Sequence, residues 1–291
     1  MSHAVPGSVG PPPLGPGGFD WTSWHADPSV VVGLAALGLG YLVATLRRDR
    51  IDPDARVEPA RVASFAGALL VLFGALTGPV HDLSDYYLFS AHMVQHMLLI
   101  FAMPPLLLYG IPAFMLRPLI RDPFVVRLGR RLTRPASAFA IFNVILVAWH
   151  TPPLYNLAMD RHPVHIVEHL MFMVVSVILW WPVLSPLAEI PRAPYPVQLL
   201  YLFVVGLPMV LVAVVITMAD KLLYPYYATA PRVWEQLTPH GDQQLGGLIM
   251  WIPGGIVFLI AISVVFFRWQ AAGAEDGAVP VVEGSRRAAR P

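Results

Sequence analysis

The 291 residues are 56% hydrophobic and only 13% charged, with a formal net charge of +1 and no cysteine. That charged share is about half the roughly 25% usual in soluble domains, which excludes an ordinary water-soluble globule. The lack of cysteine excludes thiolate metal sites and disulfides, and no phosphate-cradling loop or nucleic-acid patch is present.

The chain opens with MSHAVPGSVGPPPLGPGG, which has neither the basic start nor the apolar core of a cleavable signal peptide. Its proline and glycine content predicts a disordered tail over 1–29, carrying His3 and His25. Apolar runs follow at 30–46, 61–78, 88–109, 136–150, 163–181, 198–218 and 245–267, most of them near the roughly 20 residues that cross a bilayer as helix. The fourth is short and is expected to borrow Leu132 or Leu154 at its ends. These runs predict an all-α fold, a polytopic membrane helix bundle of seven transmembrane helices over 30–268. A second disordered tail is expected over 269–291.

Basic residues set the expected orientation. The 47–61 loop holds Arg47, Arg48, Arg50, Arg56 and Arg61, and the 110–135 loop holds Arg117, Arg121, Arg127, Arg130, Arg131 and Arg134. With Arg192, Arg268, Arg286, Arg287 and Arg290, 16 of the 19 lysines and arginines fall on one side. The positive-inside rule makes that side cytoplasmic, so the N-terminus is expected outside and the C-terminus inside.

In this topology all 10 histidines fall on the outer side or in the outer third of a span. Ionisable groups at membrane depth are rare and mark pathways, relays or bound ions. His92 and His96, in SAHMVQHMLL, are one helical turn apart and share a face. His165 and His169, in HPVHIVEHLMF, repeat the spacing with Glu168 between them. Two helices each offering such a pair at matching depth can meet around one point, and imidazole suits copper, zinc and iron. His150 ends the fourth span. Each pair alone is as readily explained by hydrogen bonds to neighbouring helix carbonyls. Together with His150, the two pairs favour a metal or cofactor, with Glu168 as an orienter of the histidines rather than a ligand.

Other landmarks lie at the same end. In AWHTPPLYNLAMD, Pro152 and Pro153 end the fourth helix and hold His150 at its boundary. In GDQQLGGLIMWIPGG, Asp242 is either an N-cap for the seventh helix or a metal ligand. Met93, Met97 and Met250 offer soft thioethers, although methionine in an apolar helix is more often packing. Pro104–Pro105, Pro208 and Pro253 are expected to kink the third, sixth and seventh spans, leaving carbonyls that require a protein or cavity neighbour.

The stretches HMVQHMLL, WHTPPLYNLAM, HIVEHLMF and DQQLGGLIMW resemble, in order, the motifs of the seven-span CtaG family of cytochrome c oxidase assembly factors. The resemblance runs from about residue 30 to 268. It implies a non-enzymatic protein of the bacterial plasma membrane that handles copper for a haem–copper oxidase. Its partners would be oxidase subunits and a periplasmic copper donor. On these motifs the candidate metal residues are His92, His96, His150, His165, His169 and Asp242. The alternative is a b-type haem protein with two axial histidines. A metallohydrolase is disfavoured because HIVEH lacks the HExxH order. Copper permeation is disfavoured because the inner halves of the spans offer almost no polar groups.

Overall fold

The computed structural model describes residues 14, 18–22, 24 and 26–277. His3, His25 and most of both expected tails therefore lie outside the described residues. Ten helices of eight or more residues are used below: α1 (Pro28–Leu46), α2 (Pro59–Leu76), α3 (Gly78–Tyr86), α4 (Phe89–Gly110), α5 (Pro123–Leu132), α6 (Pro135–Trp149), α7 (Pro152–Asp160), α8 (His162–Leu184), α9 (Tyr195–Met218) and α10 (Pro239–Gly277).

The all-α membrane architecture is as expected. Among the described residues, six helices (α1, α2, α4, α8, α9 and α10) are long and apolar enough to cross a bilayer. The short fourth run is α6, whose 15 residues rise only about 22 Å at roughly 1.5 Å each, against a hydrocarbon core of about 30 Å. It follows α5 at a bend of 68°, and counting that pair as one broken span gives seven. α10 starts at Pro239 and continues to Gly277, so residues 269–277, assigned above to a tail, are helical.

Proline explains where these helices begin. α1, α2, α3, α5, α6, α7, α8 and α9 all carry proline at their first or second position. There the missing N–H has no partner to lose and the fixed φ is already helical. Pro152 and Pro153 thus do two things: α6 stops at Trp149, and α7 starts at once.

Interior prolines act differently. Ahead of Pro104–Pro105, α4 widens into a π-helical turn over Leu98–Ala102. Side chains supply partners for carbonyls in this region. The Trp180 indole donates to the Ile100 carbonyl at 2.8 Å, and Ser64 Oγ donates to the Leu106 carbonyl at 2.8 Å. Along α8, which contains Pro182, the Tyr201 hydroxyl donates to the Leu179 carbonyl at 2.7 Å.

Lipid tails are as apolar as leucine, so close packing and interhelical hydrogen bonds hold such a bundle together more than water exclusion does. α1 is apolar all round and buries none of its residues, as a lipid-facing helix should. It leans on α2 through Tyr41, stacked on Phe65 at 4.0 Å between ring centroids. Across the bundle, Phe142, Leu146, Phe172, Leu179, Leu202, Val205, Met209 and Ala213 build an apolar core. α9 and α10 approach closely at Gly247, where an added Cβ would lie 2.9 Å from the Thr217 backbone nitrogen and 3.0 Å from the Ala213 carbonyl. The buried histidines, by contrast, gather near the starts of α4 and α8 and at the end of α6, with the buried acids Asp82 and Asp85 on α3, Glu168 on α8 and Asp242 on α10.

Candidate metal centre

α4 and α8 supply the centre. His92 and His96 project from α4 as a touching pair, 4.3 Å between ring centroids, and His165 and His169 from α8 do the same at 4.2 Å. The two pairs face each other. His92 stacks on His165 at 5.3 Å and lies 5.9 Å from His169, while His96 lies 5.6 Å from His169. Glu168, fully buried at 0% exposure, places Oε1 4.0 Å from His92 Nε2 and 3.8 Å from His96 Nε2. His150, the C-cap of α6, sits beyond His96 at 6.1 Å between rings.

Among the described residues, two trios of donors converge. One is His92, His165 and His169, and the other is His92, His96 and Glu168; within each, the donor atoms lie within 4.8 Å of one another. Both ring nitrogens of His92 and of His96, Nε2 of His150, His165 and His169, and both carboxylate oxygens of Glu168 are buried without a hydrogen-bond partner. Buried polar atoms are ordinarily paired, and each unpaired one costs about 1–3 kcal/mol. So dense a group of lone-pair donors, all imidazole or carboxylate, fits a borderline transition-metal cation such as copper or zinc.

Several of the rings are held from behind. His165 Nδ1 lies 3.4 Å from Asp85 Oδ2, and His150 Nδ1 lies 2.7 Å from the Leu146 carbonyl. In each case the second nitrogen is buried and unpaired, and a hydrogen bond to the first nitrogen is what fixes tautomer and ring orientation in metal-binding histidines. Asp85 also approaches His81 Nδ1 at 3.4 Å, and Ser84 Oγ donates to it at 2.9 Å. Burial alone would raise the Asp85 carboxyl, but His165, His81 and His169 around it outweigh that and hold it well below the usual carboxylate range.

Asp242 is placed differently from both sequence expectations. Its carboxylate accepts from the Phe89 backbone N–H at 2.7 Å, the Ser90 backbone N–H at 3.1 Å and the Ser90 hydroxyl. It therefore caps α4, a helix 152 residues away, rather than its own, and it belongs to neither converging trio. That cap fixes the first turn of the helix bearing His92 and His96. Of the methionines, Met93 and Met97 pack against α10: an added Cβ at Gly246 would meet Met93 Cγ at 3.2 Å, and one at Gly254 would meet Met97 Cε at 3.2 Å. Met250 is core. His162 pairs with Asp27 at 2.8 Å, and His240 Nε2 lies 2.8 Å from the Ala219 carbonyl.

Asp85 was not singled out in the sequence. The available signal was the i,i+4 pair of His81 and Asp85 in HDLSDYY, which a loop reading of that stretch conceals. Axial haem ligation needs two rings on opposite sides of a macrocycle. Here the four imidazoles of α4 and α8 lie against one another, which disfavours that alternative.

No solved structure matches the chain. Among curated proteins it is 24% identical over 268 residues to an uncharacterized protein of Mycobacterium leprae (strain TN), covering 86% of this chain and 40% of that protein. Uncharacterized proteins of Mycobacterium bovis and Mycobacterium tuberculosis are each 25% identical over 267 residues, covering 85% of this chain and 39% of theirs. The chain thus spans about two fifths of the length of the curated relatives it matches. The model of the cytochrome c oxidase caa3 assembly factors matches residues 39–272, and the chain belongs to that family.

Proposed function

We propose that this protein takes part in building cytochrome c oxidase by holding copper ions among His92, His96, His165, His169 and Glu168 and releasing them to an oxidase subunit. His150 stands beside this set as a further donor. The reading rests above all on the buried donor atoms of these residues that no protein group satisfies. A sequence that kept them for packing alone would carry their desolvation cost with nothing to offset it, and a bound cation removes that cost.

The chemistry asked of the chain is ligand exchange, with no bond in a substrate made or broken. Copper is cargo. Imidazole binds it well in either oxidation state, and without thiolates release is easier than from a cysteine cage. The positive-inside rule, applied to the arginine loops, puts the cluster at the outer end of the bundle in a bacterial plasma membrane. There a periplasmic donor could load it and an oxidase subunit could unload it. The match to a family of oxidase assembly factors supports the choice of partner.

The test is metal analysis of purified protein and of a variant with His92, His96, His165 and His169 all changed to alanine. Both are also expressed in cells lacking the native copy, and oxidase activity is measured in membranes. Copper is expected in the parent and not in the variant, with oxidase activity restored only by the parent. Equal copper in the two would sink the reading, and a strong haem absorption band in the parent would replace it with the haem alternative.

A further inference from the structure

We infer that the cluster provides two alternative cation positions that share His92, so that a single ion can move between them without leaving that ring. The inference rests on the copper reading above. One position is the all-imidazole trio of His92, His165 and His169, and the other is His92, His96 and Glu168. His92 belongs to both, and its two ring nitrogens are each buried and unpaired. Its own ring therefore leaves a nitrogen free whichever trio is filled.

The two positions differ in chemistry. The first is neutral. In a low-dielectric interior the residual charge of an ion with its ligands decides how costly burial is, and three neutral imidazoles leave copper(I) at +1 and a divalent ion at +2. The second contains a carboxylate, which brings a divalent ion to +1 and supplies the harder oxygen donor that such ions favour. Asp85, 3.4 Å from His165 Nδ1, adds a negative charge just behind the first trio and offsets part of that charge difference. Donor type then decides: the all-imidazole position, with its softer nitrogen donors, suits copper(I), and the position with the oxygen donor of Glu168 suits copper(II) or zinc(II).

Geometry also gives the two positions different neighbours. The imidazole trio holds both α8 rings, and Nδ1 of its His165 lies 3.4 Å from Asp85. The carboxylate trio holds both α4 rings, and its His96 lies 6.1 Å from His150 between ring centroids. The oxidation state of the copper that arrives would then set which position it takes.

The experiment uses the full chain in detergent, titrated separately with copper(I) under a reducing atmosphere and with copper(II), by competition against chelators of known affinity. Glu168→Gln is expected to weaken copper(II) at least about ten-fold more than copper(I), the scale seen when a contact that tunes a ligand is lost. His165→Asn should do the reverse, and His92→Asn should weaken both. Pulsed electron paramagnetic resonance of the copper(II)-loaded parent, which needs no variant, should count two coordinated imidazoles. Three imidazoles on copper(II), or a Glu168→Gln effect equal for the two ions, overturns the two-position inference while leaving the copper reading intact. A parent that binds neither ion overturns both.

Discussion

Asp85 brings a carboxylate oxygen within 3.4 Å of Nδ1 of His165, and the opposite nitrogen of that ring is left unpaired. Such a carboxylate behind a histidine locks the ring and raises its basicity as a ligand. Asp85→Asn keeps the shape and loses the charge. It should lower copper affinity by about 10–100-fold, the usual cost of removing such a partner, while the helical content of the metal-free protein stays unchanged. Chelator competition and circular dichroism on the same sample check both halves. An unaltered affinity would reduce Asp85 to a structural partner of His81.

Acidification should empty the site. A proton and a metal ion compete for the same imidazole nitrogen, and ligation requires the neutral ring. The sign is therefore fixed: affinity is greatest where the rings are neutral and falls as acid protonates them. Chelator competition at constant ionic strength is expected to find an apparent copper affinity at least about ten-fold lower at pH 4 than at pH 7.5. Equal affinity at the two pH values would argue that the imidazoles are not the ligands.

Much of this arrangement is legible in the chain itself. Long apolar runs identify α2, α4, α8 and α9, and the i,i+4 histidine spacing on α4 and α8 gives the faces that meet. What stays hidden depends on contacts between distant residues. Asp242 reads locally as the cap of its own helix, because nothing in GDQQLGG discloses that Phe89 and Ser90 lie beside it. Asp85 sits in a stretch whose nine-residue helix, α3, is too short to carry a clear period. The bend before α6 is equally invisible, since Pro135 marks a helix start whichever way the preceding helix points.

The double glycine of DQQLGG has a packing role that can be tested apart from metal binding. At Gly247 a new Cβ would meet the Thr217 hydroxyl and also the backbone of α9, at the Thr217 nitrogen and the Ala213 carbonyl, and backbone cannot swing aside as a side chain can. Gly247→Ala should therefore force α9 and α10 apart and destabilise the protein by about 1–3 kcal/mol, as overpacking commonly does. Gly255→Ala is the control, because a Cβ there meets nothing within 4 Å. Thermal unfolding in detergent should separate the two. Equal melting temperatures would mean that the close approach of α9 and α10 is not tight.

Two fully buried carboxylates should respond to removal with opposite signs. Asp242 is satisfied by two backbone N–H groups and a hydroxyl. Asp242→Ala strands those donors at the start of α4 and should cost about 0.5–2 kcal/mol, as the loss of a helix cap does. Glu168 has no hydrogen-bond partner for either oxygen. Replacing such an unpaired buried polar group with an apolar side chain of similar volume removes a desolvation cost of about 1–3 kcal/mol. Glu168→Met should accordingly raise the melting temperature of the metal-free protein. The same change should shrink the additional stabilisation that saturating copper(II) confers, since a ligand protects only in proportion to its affinity for the folded state. Melting curves with and without copper(II) for the parent and both variants give all the comparisons at once. A Glu168→Met protein less stable than the parent without metal would show that Glu168 is held by the fold rather than kept for a cation.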